Sequence, residues 1–404
     1  MKFIYFANAR IPTEKAHGIQ IIQMLSAFAN FQFSISNFQT NPKLKIQNPK
    51  VDVELIIPRR FNKIKEDPFE YYGIERNFKL KKIPCLDLII FDKYIGHLGL
   101  WIESVSFFIS VIFYLVFSLI KEGRVPEIIY TRDKFLLPLT IFWKNIFFEV
   151  HALPRNYFIY SLFIKRLKGI IVITSFLKEF LIEKGVSPQK IMIAPDGVEL
   201  EKFDIECSKT EARKKINLPE DKKIILYTGH LYKWKGGALL LEAARKFETL
   251  NPKFETLFIF VGGTKEDVKS FKFQVLSFKI DNVLVVGHRP YSEIPYWLKA
   301  ADVLVLPNSG KEDISKLWTS PLKMFEYMAS KRPIVASDLP SLREILSEKN
   351  SILVEPDNPQ ALARGIGEIL LNPQLSNRIS TQAFSDVQKY SWQKRAEKIC
   401  QKIF

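Results

Sequence analysis

Cysteine is scarce: Cys85, Cys207 and Cys400 stand far apart in a chain of 404 residues. Their spacing offers neither the close pairs of a zinc site nor a disulfide framework, so a reducing compartment is expected. The opening stretch, MKFIYFANARIP, lacks the charged region, long apolar run and small-residue cleavage site of a secretory leader and reads as a buried first strand. A cytoplasmic protein is the resulting expectation. The one candidate membrane segment, VSFFISVIFYLVFSLI from Val105 to Ile120, has 16 residues without a charge, short of the roughly 20 that a spanning helix needs. A buried or interfacial helix is expected there, and the many aromatic residues around it would suit one face touching a bilayer.

Low-complexity tracts, collagen-like repetition and heptads are also lacking, and 47% hydrophobic with 25% charged residues is ordinary globular usage. The length suits two or three domains. The formal charge of +16 comes from 59 Lys and Arg against 43 Asp and Glu, spread over both halves. No nucleic-acid-binding module holds this charge, so nucleic acid is not an expected partner. A solvated basic surface, anionic lipid headgroups and phosphorylated substrates all remain open as its purpose.

What is present is a twofold alternation of short apolar, β-branched runs with helix-like stretches, the pattern of parallel sheets covered on both faces. The first set is KFIYFA from Lys2, VELIIP from Val53, EIIYT from Glu127, FFEVH from Phe147, GIIVITS from Gly169 and KIMIAPDGV from Lys190. The second is KIILYTG from Lys223, TLFIFVGG from Thr256, NVLVVG from Asn282, DVLVLPN from Asp302, PIVAS from Pro333 and SILVEP from Ser351. Two doubly wound α/β domains are expected, over residues 1–200 and 201–388, with a linker near Glu199 to Glu206. Residues 389–404 have apolar side chains at helical spacing. They read either as a helix packing back on the first domain or as an ordinary terminal helix of the second.

The stretch TSPLKMFEYMASKRPIVASDLPSLREIL, Thr319 to Leu346, carries the chemistry. Pro321 stands where a helix would begin, with Thr319 and Ser320 as capping candidates. Free N–H groups at Leu322 and Lys323 and the positive end of the helix dipole would face a phosphate, and Glu326 would take hydrogen bonds from a sugar hydroxyl. A capped helix alone is commonplace. The words around it are more specific: FEYMASKRPIVASDLPSLRE resembles the donor pocket of the family 4 retaining glycosyltransferases of GT-B fold, at Glu326, Met328, Ala329, Pro333, Val335, Ala336 and Glu344. LYTGHLYKWKGG from Leu226 is similar to the family's phosphate loop, and the likeness runs from about Ile170 to Glu355.

The resemblance implies two Rossmann-like domains facing across a cleft, the C-terminal helix crossing back to the first. It implies transfer of a sugar from a nucleoside-diphosphate sugar to a hydroxyl, with retention, on a saccharide or lipid-linked acceptor in cell-surface polysaccharide or glycolipid synthesis. Donor contacts would come from Gly18, Gly229, His230, Lys235, Ser320, Pro321, Leu322, Lys323 and Glu326, and catalysis from His151, Lys235 and Glu326. Arg132 and Arg155, at strand ends of the first domain, are acceptor candidates, with a structural ion pair as the other reading, and a core histidine with one backbone partner is the other reading of His151. Two residues depart from the family pattern: Trp318 replaces a Glu, and His230 replaces an Arg. No Asp-x-Asp pair stands at a strand end, so the leaving diphosphate is expected to meet Lys235 and the helix start, with no metal and no cofactor. A location on the inner face of the membrane is compatible with the charge. A nucleotide-sugar epimerase of the same fold and an inactive nucleotide-sugar-binding scaffold remain alternatives.

Overall fold

The computed structural model describes residues 1–31, 51–123, 126–154 and 156–403. The chain forms two compact units, one of Met1–Val172, Leu177–Ala194 and Trp392–Phe404, the other of Ile173–Phe176 and Pro195–Ser391.

Among the described residues seven strands build the sheet of the first unit: β1 Lys2–Phe6, β2 Asp52–Pro58, β3 Lys79–Ile83, β4 Ile128–Thr131, β5 Ile146–Val150, β6 Gly169–Val172 and β7 Ile191–Ile193. Their order is β3-β2-β1-β4-β5-β6-β7 and every pairing is parallel. β1, β4, β5 and β6 are buried at every residue, as sheets covered on both faces require. β3, KLKKI, is the addition to the sequence reading; it lies at the sheet edge, where its lysines stay in solvent and deter pairing with a second chain.

Among the helices of this unit, α1 spans Ala16–Asn30, α2 spans Leu98–Glu122 and α3 spans Tyr157–Arg166. The apolar run at Val105 to Ile120 lies within α2 and is buried along one side only, at Phe107, Val111 and Leu115.

The second unit holds β8 Lys223–Thr228, β9 Thr256–Val261, β10 Val283–Gly287, β11 Val303–Leu306, β12 Ile334–Ser337 and β13 Ile352–Val354. They run parallel in the order β10-β9-β8-β11-β12-β13. The twofold period of β8 divides its side chains: Ile224 and Leu226 enter one core and Ile225 and Tyr227 the other. Helix α4, Gly237–Leu250, follows β8, and helix α5, Leu322–Ala329, is buried at all eight positions.

The last described helix, α6, Trp392–Ile403, belongs to the first unit. It buries Trp392, Arg395, Ala396, Ile399 and Cys400, one stripe at helical spacing, and packs against α1 and β6. Of the two readings of this segment, the return to the first unit is the one found.

Candidate functional site

In the second unit the backbone between β8 and α4 sets the stage. Gly229 follows β8 with φ 118°, and Gly236 turns into α4 with φ 76°, both in the region that disfavours a Cβ. A Cβ on Gly236 would lie 1.6 Å from the Pro307 carbonyl oxygen. The loop is thus pressed onto the end of β11. Lys235, immediately before that glycine, closes the short turn Lys233–Lys235 with its amine over the rings of Tyr232 and Trp234, at 5.5 and 5.2 Å. Burial draws the Lys235 amine down to about 8, since a charged ammonium is disfavoured away from water.

His230 stacks on Tyr232 with ring centroids 5.0 Å apart and planes 3° from parallel. Its Nδ1 is 3.8 Å from the Asp267 carboxylate, and its carbonyl accepts a 2.5 Å hydrogen bond from the Tyr227 hydroxyl.

Opposite this loop α5 begins. The expected side-chain cap is not found: Pro321 occupies the N-cap position with extended backbone, and no side chain caps the helix. Ser320 is engaged elsewhere, its hydroxyl accepting the Asp196 N–H at 3.1 Å, and Pro321 interposes one more extended residue before the first turn. The backbone N–H groups of the first turn, at Leu322 and Lys323, consequently have no capping side chain.

Lys323, in that turn, is buried; its Nζ makes no hydrogen bond and lies 3.8 Å from the centroid of the Tyr227 ring. Burial and the neighbouring Lys235 together push this amine well below its usual value, against the pull of Glu326. Glu326, one turn on, accepts a 3.0 Å hydrogen bond from the Tyr291 hydroxyl. Burial raises its carboxyl to about 7, although Tyr291 and Lys323 act in the other direction. Two amines, a turn of free N–H groups and one half-ionised carboxyl therefore converge between Gly229 and Glu326. Such a group receives a dianion at one end and hydroxyl donors at the other.

Trp318 is half-buried in the turn before this helix. Glu344 is directed to Ser175, accepting its backbone N–H at 2.8 and 3.1 Å and its hydroxyl at 2.9 Å.

The first unit holds a second polar cluster. His151 Nε2 and Glu149 Oε1 are 2.8 Å apart. Glu149 is fully buried, and the same oxygen accepts from Gln20 Nε2 at 2.6 Å and Arg395 of α6 at 2.7 Å; its other oxygen accepts from the Tyr130 hydroxyl at 2.6 Å. Burial alone would raise this carboxyl, but Arg395, His151 and Arg132 outweigh it and hold Glu149 well below the carboxylate range. His151 is thus steered by a carboxylate kept charged. Arg132 donates to Gln20 Oε1 at 2.6 Å and joins the network through it.

Gly18 stands in the first turn of α1, where a Cβ would lie 2.2 Å from the Tyr72 hydroxyl. Tyr72 accepts from Thr13 N–H at 2.8 Å and donates to Thr13 O at 3.0 Å. The glycine lets α1 close on that tyrosine. Arg155 lies outside the described residues.

The sequence reading missed Glu149, Gln20, Tyr130, Tyr291 and Arg395. Only Glu149 left a signal, as a carboxylate inside the otherwise apolar run FFEVH.

Residues 208–386 match the family described as glycosyl transferases group 1. That segment covers most of the second unit. The chain is 26% identical over 220 residues to a D-inositol 3-phosphate glycosyltransferase from Streptomyces bingchenggensis, a match covering 52% of this chain and 47% of the relative. It thus spans about half the length of that relative. By fold, the chain is similar to a sucrose-phosphate synthase from Thermosynechococcus elongatus, with TM-score 0.74, 18% identity and 99% and 98% of the two chains covered. It is likewise similar to HepE from Anabaena in complex with UDP, with TM-score 0.70, 15% identity and 99% of each chain covered. The architecture is that of the GT-B proteins.

Proposed function

We propose that the chain is a retaining, family 4 glycosyltransferase that moves a sugar from a nucleoside diphosphate to a hydroxyl without a metal ion. The observation that supports this most is the buried Lys323 amine, without a hydrogen-bonding partner and beside Lys235 at the start of α5. A buried cation is unfavourable alone and favourable against a diphosphate. On this reading the diphosphate lies against Gly229, His230, Lys235, Pro321 and the N–H groups of Leu322 and Lys323, with Ser320 behind them. Glu326 takes the ribose hydroxyls.

As the bond between the anomeric carbon and the diphosphate oxygen breaks, negative charge grows on the diphosphate. Lys235 and Lys323 stabilise it where a metal would otherwise be needed. The acceptor is a saccharide or lipid-linked hydroxyl at the inner face of a membrane. We assign its contacts to the first unit, with His151 held ready by Glu149 and Arg132 and Arg155 as supporting cations, and we keep Gly18 as a donor contact.

Thermal shift with UDP-, GDP-, ADP- and dTDP-sugars identifies the donor, with UDP-glucose as the first probe because Anabaena HepE has been solved with it. Release of nucleoside diphosphate is then measured in EDTA. Glu326→Ala is expected to weaken donor binding about tenfold, and Lys235→Ala to lower turnover on the order of a hundredfold. Unchanged release in both variants would overturn the assignment, a strict metal requirement would remove its last clause, and donor binding without any turnover would make the chain a scaffold.

A further inference from the structure

Helix α2 has the wrong outer face for a helix in water. Its buried side runs through Glu103, Phe107, Val111 and Leu115. The opposite stripe, Val105, Ile109, Phe113, Phe117 and Ile120, has the same helical spacing and is exposed, Phe113 by 70%, Phe117 by 64% and Ile120 by 76%. A helix half-covered by its own unit ordinarily places charge on such a stripe. Here no charged residue occurs between Glu103 and Lys121.

The apolar surface does not stop with α2. Trp101, itself exposed, makes an edge contact with Phe135 at 5.1 Å. Phe135 belongs to the turn Lys134–Ile141, against which α3 packs. At the end of that turn Ile141 and Phe142 are exposed, and α3 adds Phe158, 91% exposed, with Ile159 and Leu162. Contiguous apolar surface of this extent marks a partner.

Charge decides which partner. Among the described residues from 134 to 168 there are five cations, Lys134, Lys144, Lys165, Arg166 and Lys168, and one acid, Glu149. That acid is fully buried. Within this stretch the cations are therefore not balanced by an exposed carboxylate.

We propose that α2, the turn Lys134–Ile141 and α3 form one face that lies in the interface of an anionic lipid bilayer. The phenylalanines enter the acyl boundary and the lysines meet the phosphates. Both terms are needed, since apolar area gives insertion and the cations give selectivity for anionic lipid. The face does not span the membrane, because the buried side of α2 is occupied by its own unit. The inference stands apart from the catalytic reading: a chain unable to transfer sugar would still bind lipid.

The full chain is sedimented with vesicles of phosphatidylcholine alone or mixed with phosphatidylglycerol. Binding is expected to the mixed vesicles and to weaken with added salt. The double variant Phe113→Glu with Phe117→Glu, a second with Phe158→Glu and Leu162→Glu, and a charge variant, Lys165→Gln, Arg166→Gln and Lys168→Gln, should each lower partitioning about tenfold. Unchanged melting temperature and donor binding show that each remains folded. Wild-type protein left in the supernatant, or variants that all sediment like wild type, would overturn the proposal. So would self-association in light scattering that the phenylalanine variants abolish while vesicle binding persists, because a second copy would then cover the face.

Discussion

At the scale of single residues the candidate donor site is a set of groups held away from their usual charge. Glu326 has its carboxyl raised from 4.5 to about 7, so between those values the native protein keeps a proton that the unfolded chain has released. Stability contributed by this group is complete below 4.5 and is lost as pH rises through about 7. A shift of this size is worth about 3 kcal/mol. In urea unfolding followed across that window, wild type is expected to lose about that much relative to Glu326→Gln. Two parallel curves would remove the inference. Donor affinity should move the other way, tightening as the carboxylate ionises to accept ribose hydroxyls, and Glu326→Gln should flatten that dependence.

Elements show why some of this was legible and some was not. Fully buried parallel strands read as continuous apolar runs, so each of the runs named from the sequence contains a strand. β3 was missed because an edge strand made of KLKKI has neither a run nor an apolar alternation. Pro321 looked like the first residue of a helix, but geometry uses it as the cap because Ser320 is drawn to Asp196. Lys323 and Glu326 could be named from the motif, whereas the amine's seat on Tyr227 depends on a contact between distant parts of the chain.

The same limit hides Arg395, which meets Glu149 across 246 residues. Removing it by Arg395→Ala leaves a buried carboxylate short of a cation. The expected loss is about 3 to 5 kcal/mol in urea unfolding, and the double variant with Glu149→Gln should recover part of it. A loss below 1 kcal/mol, roughly what an exposed pair contributes, would show that Gln20, Tyr130 and His151 suffice without the arginine.

For the whole molecule the instructive fact is that the chain enters the first unit, builds the second, and comes back with α6. A chain ended after Ser391 lacks the stripe of α6 that covers α1. Its first unit is expected to unfold at a lower temperature than its second, so that calorimetry resolves separate transitions and limited proteolysis degrades the first unit while sparing residues 195–391. One unshifted transition would mean that α6 adds little.

That return also sets a timetable on the ribosome. Glu149 is synthesised 246 residues before Arg395, a wait of roughly 10 to 50 s at ordinary elongation rates. Through that interval the nascent first unit holds a carboxylate destined for burial with no guanidinium to receive it, while the second unit is completed ahead of it. The half of the protein translated first is thus the half that matures last, and its anionic interior is closed only when translation has moved past everything in between.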